Sequence, residues 1–167
     1  MNNLFNEKQR FTQPWIYFIL VGMAFLPLYG MYQQFIVGKP FGNNPMSNWG
    51  LILFSVGMFL FVALLLSIKL QTVITNQEIR VRFFPFVKKN ISWTNIKKAK
   101  VVHYDFVGYG IRLGSSYGTV YNIKGAIGLA LQLRNGKKLL IGTQKEEELT
   151  QLLSQRIQPN SNPPMES

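Results

Sequence analysis

Two uncharged apolar runs in the first half of the chain limit what it can become. Among the 58 residues from Phe11 to Ile68, Lys39 is the only charged one. Trp15 to Tyr32 is an uninterrupted run of 18 residues, and Trp49 to Ile68 is one of 20. As helices rising 1.5 Å per residue they span about 27 and 30 Å, close to the hydrocarbon thickness of a bilayer. The second run holds 13 Leu, Ile, Phe and Val residues and the first holds eight. Those counts correspond to about −4 to −8 and about −2 to −5 kcal/mol of insertion free energy. Pro27 falls in the first run, where membrane helices tolerate it better than soluble ones do.

A cleaved signal peptide is the alternative for the first run, because Lys8 and Arg10 precede it. Its small-residue triplet Gly22-Met23-Ala24 lies inside the apolar run, however, whereas a cleavage site follows such a run. The sequence therefore predicts an N-terminal tail over 1–14 and a two-helix transmembrane hairpin over 15–68, with spans 15–32 and 49–68. Gly38, Pro40, Gly42, Asn43, Asn44 and Pro45 make the segment between the spans a turn. Lys8 and Arg10 flank one end of the hairpin, and Lys69, Arg80 and Arg82 the other. The bias of cationic residues toward the cytoplasmic side then predicts a multi-pass protein of the inner, cytoplasmic membrane with both termini in the cytoplasm.

From Lys69 the pattern changes to period-two alternation. Ile79, Val81 and Phe83 alternate with Arg80 and Arg82, and Leu70–Thr75 precedes them across Asn76-Gln77-Glu78, so this pair reads as a hairpin. Ile91–Trp93, Ala99–Tyr104 and Tyr117–Ile123 read as further strands. Leu129, Leu131 and Leu133 lead into Asn135-Gly136, the preferred pair for a tight type I′ turn. About six or seven strands are expected in succession. Thr143 and Glu146 have capping-box spacing, and Leu149, Leu152, Leu153 and Ile157 form one stripe of the helix that would follow. Residues 158–167, with three prolines, read as a loose tail.

This order resembles the bacterial pleckstrin-homology-like domain of small membrane proteins. The residues that carry the resemblance are Ile91-Ser92-Trp93 with Ile96, Gly108–Arg112, Tyr121–Gly125 and Gly128–Thr143, followed by the helix. It implies an α+β membrane protein in which residues 69–157 form a curled seven-stranded barrel capped by a C-terminal helix. Eukaryotic relatives often hold lipid head groups through basic residues in the first hairpin loop. Here that loop is Asn76-Gln77-Glu78, which departs from the pattern.

Chemistry has little to work with. Cysteine is absent and histidine occurs once, at His103, which removes thiol catalysis and the usual zinc sites. His103 and Asp105 share a strand face without a nucleophile beside them, so no catalytic residue, metal or cofactor is expected and the chain reads as non-enzymatic. The glycines from Gly108 to Gly128 lack the lysine and serine of a phosphate loop and read as bends.

Charge is the functional lead. Residues 69–157 hold 15 Lys and Arg against five Asp and Glu, almost all of the chain's net +11. Lys88, Lys89, Lys97, Lys98 and Lys100, with Arg112, are the candidate lipid- or partner-facing residues. Each cation near an anionic leaflet contributes about 1 kcal/mol within a Debye length of about 8 Å. The expected function is a binding or scaffold module at the cytoplasmic membrane face, contacting anionic lipid head groups or a protein partner. The alternative is an oligomeric subunit of a membrane complex, a homo-oligomer included. Transport is less favoured because the spans carry no ionisable residue. A bilayer anchor argues against nucleic acid as the partner of the basic surface.

Overall fold

Strand β1 (Asn3–Arg10) opens the chain, ahead of the first apolar helix. The computed structural model describes residues 3–105 and 108–157, without the Ile157 side chain. The tail expected over 158–167, and Ile157 as a member of the apolar stripe, therefore lie outside the described residues. Helix α1 (Pro14–Met31) continues as a π-helical turn over Tyr32–Ile36, and α2 (Asn48–Ser67) follows. Then come β2 (Lys69–Thr75), β3 (Glu78–Phe84) and β4 (Val87–Ser92). A 3₁₀ turn at Trp93–Asn95 leads to β5 (Ile96–His103), β6 (Gly110–Ser115), β7 (Gly118–Asn122), β8 (Ile127–Leu133), β9 (Lys138–Gly142) and α3 (Glu146–Ile157).

Phe11–Ile68 forms one compact unit and the remainder forms another. Both helices of the first unit are long and apolar enough to cross a membrane. They bury Leu20, Leu51 and Ser55, while Phe18, Val21, Leu53 and Leu60 stay exposed. An outward apolar surface of that kind is the reverse of what a helix pair in water presents. Ser47 caps α2 by accepting from the Gly50 N–H (3.1 Å).

The second unit differs from the expected domain at its start. Asn3–Arg10, read from the sequence as part of a tail, is a strand antiparallel to β2, with Arg10 opposite Lys69. The β unit is therefore discontinuous in sequence, and the two-helix segment is inserted between its first two strands. Phe5, Glu7 and Gln9 point inward from β1. The Thr143 hydroxyl donates to one Glu7 oxygen (2.6 Å) and the Gln144 backbone N–H to the other (2.7 Å). Gln9 Nε2 donates to the Gly142 carbonyl (2.7 Å). These bonds satisfy groups whose burial is otherwise costly.

The expected closed barrel is not found. The strands form two sheets, ordered β1-β2-β3-β4 and β5-β8-β9-β7-β6. In the second sheet β7 runs parallel to β9, so the chain passes over β9 before returning as β8. Asn122 holds that crossing by donating to the carbonyls of Gly108 and Gly125 (both 3.2 Å). The sheets meet through buried side chains, with Phe83 6.4 Å from the Tyr121 ring, and Leu149, Leu152 and Leu153 of α3 are buried in the same core.

Two local expectations are also corrected. Gly136 has a φ of 82° but no non-glycine residue has positive φ among those described, so Asn135-Gly136 does not form a type I′ turn. Instead the Gly136 N–H donates to Leu133 (3.1 Å) and Leu133 to Lys137 (2.8 Å), which is a longer loop with glycine in the left-handed position. The capping box does not form either. Thr143 is drawn to Glu7, accepts from the Lys145 N–H (3.0 Å), and leaves Glu146 to pair with His103.

Candidate functional site: a lysine-rimmed groove

A β-bulge places the lysines of β5. Ile96 pairs with Leu133 but Lys98 pairs with Gln132, so Lys97 is the extra residue. Without the bulge, Ile96, Lys98 and Lys100 would share a face. With it, Ile96 turns inward together with Ala99 and Val101, while Lys98 and Lys100 stand on the opposite face beside Gln132 and Ala130. Lys138 of β9 joins them, since it pairs with Gln132 across the ladder.

These side chains border a groove of about 700 Å³. Its apolar lining includes Trp93, Tyr117 and Ala130, its rim is Lys97, Lys98, Lys100 and Lys138, and no acidic side chain lines it among the described residues. Lys138 Nζ donates to the Ser116 carbonyl at 3.5 Å, which ties the rim to the β6–β7 turn. Trp93 is fixed by its indole N–H donating to the Thr75 carbonyl (3.0 Å), with the Arg156 guanidinium 4.7 Å over its ring. Lys138 also borders a neighbouring cleft with Lys89 and Lys137.

The six candidate residues therefore divide. Lys97, Lys98 and Lys100 come together at the groove. Lys89 lies at the adjoining cleft, its ammonium 5.6 Å from the Tyr121 ring centroid. Lys88 faces the other side of its strand, opposite Arg82. Arg112 lies over Gly108, where a Cβ would collide with its guanidinium, and lines neither cleft. Lys137 and Lys138 are not singled out by the sequence pattern. Their signal is the lysine pair that follows Asn135-Gly136, but only the bulge on β5 and the β8–β9 ladder show which of the two meets the β5 lysines.

Beyond the groove, the same sheet face carries Tyr104, Val120 and Leu140, packed against Val102, Tyr117 and Ala130. The Tyr104 hydroxyl is buried without a hydrogen-bond partner among the described residues. Burial pushes its pKa up to about 12, because the phenolate loses more hydration than the phenol. His103 is exposed and meets Glu146 of α3, while Asp105 lies past the end of β5. No cluster of His, Asp and Glu suited to a metal occurs among the described residues. The groove offers cations around apolar contact, an arrangement fitted to an anion attached to an apolar body. No protein-family model matches the chain, and no curated protein matches it.

Proposed function

We propose that the chain is a two-pass protein of a bacterial inner membrane whose β unit, a pleckstrin-homology-like module, holds anionic lipid head groups at the cytoplasmic face without catalysing a reaction. The observation that carries this reading is the groove itself: four lysines around an apolar lining with no acidic side chain on it. Four cations at about 1 kcal/mol each amount to about 4 kcal/mol, roughly a thousandfold in affinity for an anionic over a neutral surface. Pairing of Arg10 with Lys69 supports both ends of the helical hairpin lying on one side of the bilayer, and the cations flanking that hairpin favour the cytoplasmic side.

Full-length protein in mild detergent, titrated with soluble short-chain phospholipids, tests the proposal. Anionic lipid is expected to bind at least tenfold tighter than zwitterionic lipid. The combined change Lys98→Glu, Lys100→Glu and Lys138→Glu is expected to abolish that preference. Equal affinity of the wild-type protein for both lipids would refute it.

A protein partner is the second reading. Strand β6 is an edge of its sheet, and its Leu113 is 79% exposed, which supports strand addition by another chain or a second copy. Crosslinking in membranes would then trap a discrete oligomer.

A further inference from the structure

The turn between β3 and β4 belongs to a different surface from the groove. Phe86 occupies that turn and is 57% exposed, whereas Phe83 of the preceding strand is buried. Strand register places Arg10, Lys69 and Phe84 in one row of the outer face of the first sheet, and Lys8, Gln71, Arg82 and Lys88 in the next. Two of these cations lie over the Phe84 ring, Lys69 Nζ at 4.8 Å and the Arg82 guanidinium at 5.5 Å from its centroid. No acidic residue occurs in either row.

The chain enters this end of the sheet directly from α2. Ile68 alone separates Lys69 from the last residue of α2, and Lys69 pairs with Phe84, two residues before Phe86. The aromatic turn and its cations therefore stand at the end of the sheet where the chain leaves the apolar helix. Aromatic side chains and Lys or Arg concentrate together where hydrocarbon gives way to head groups, because the ring enters the interface while the charge meets lipid phosphate. The geometry points to Phe86 as an interfacial anchor, inserted among the anionic head groups of the bilayer that the two helices span and held there by Lys69, Arg82 and Lys88. The inference rests on the membrane reading, but not on the groove.

Since the chain has no cysteine, Phe86→Cys gives a single site for an apolar nitroxide label. The full-length protein is placed in vesicles of equal parts neutral and anionic phospholipid and washed with alkaline carbonate. Release by that wash would refute the membrane reading, and with it the anchor. For retained protein, collisions with oxygen are expected to exceed those with a water-soluble nickel chelate at position 86, and the order is expected to reverse for a label at Leu113→Cys. Adding Arg82→Glu and Lys88→Glu to the labelled protein is expected to raise chelate collisions at 86 at least twofold. Chelate access at 86 as high as at 113, or unchanged by the charge reversal, would overturn the proposal.

Discussion

Arg10, the last residue of β1, stands directly opposite Lys69, the first of β2, although the whole helical segment lies between them in sequence. The ladder between them requires Arg10 and Lys69 to emerge on one side of any membrane the helices cross. Single cysteines at Lys8→Cys and Asn135→Cys are expected to react with an impermeant maleimide from the same side of sealed vesicles, and Lys39→Cys from the opposite side. Labelling of Lys8→Cys and Asn135→Cys from opposite sides would contradict the pairing.

The same pairing sets what a β unit without the helices needs. A chain beginning at Lys69 loses β1, and with it buried Phe5, the Glu7 bonds to Thr143 and Gln144, and the Gln9 bond to Gly142. Phe5 alone contributes about 1.5–3 kcal/mol by burial. Truncation at Lys69 is therefore expected to leave an unstable, aggregating product. Replacing residues 11–68 with Asn-Gly joins the two strands by a two-residue hairpin, and is expected to restore dispersed amide signals in an NMR spectrum.

Glu7 and Thr143 form a buried polar contact of 2.6 Å that spans the two sheets. Thr143→Val leaves Glu7 with one fewer donor, and Glu7→Ala leaves the Thr143 hydroxyl and the Gln144 N–H without their acceptor. Each is expected to cost about 1–3 kcal/mol, read from denaturant unfolding in mild detergent. The double variant is expected to cost less than the sum, since the two act on one bond.

Gly118 and Gly136 separate backbone conformation from close approach. Both have positive φ, but a Cβ at Gly136 would meet nothing, whereas one at Gly118 would strike the Lys138 carbonyl. Gly136→Ala is expected to cost about 1–2 kcal/mol from conformation. Gly118→Ala is expected to cost about 1–3 kcal/mol more, because it wedges the parallel β7–β9 pair apart. Thermal unfolding of the two variants compares them directly.

Tyr104 makes alkaline stability measurable. Its folded pKa, raised to about 12 from 10.0, means that the folded state keeps the phenol proton after the unfolded chain has lost it. Stability is therefore expected to fall as pH rises from about 10 to 12, and part of that fall is expected to vanish in Tyr104→Phe. Below pH 9 the variant is expected to match the wild-type protein or exceed it, because the hydroxyl has no partner among the described residues.

Legibility in the sequence followed how much each element announced itself. The apolar helices and the β2–β3 hairpin were plain, since an unbroken apolar run long enough to cross a bilayer, and the Ile79, Val81, Phe83 alternation, each match a single period. Strand β1 was hidden because two of its three inward residues, Glu7 and Gln9, are polar, and their burial depends on Gly142, Thr143 and Gln144, more than 130 residues away. Three groove lysines were visible as a charge cluster. That Lys98 and Lys100 share a face apart from Ile96 was not, because one bulged residue at Lys97 inverts the alternation.

The inserted arrangement also fixes an order of assembly during synthesis. The ribosome delivers β1 first, yet its ladder partner emerges only after both apolar helices have been made. Until both helices have been made, β1 has no ladder partner, and Glu7 waits for Thr143 near the far end of the chain. The folded part thus closes late, because its first strand meets its ladder partner only after the two helices, and its polar partners only when nearly the whole chain has been made.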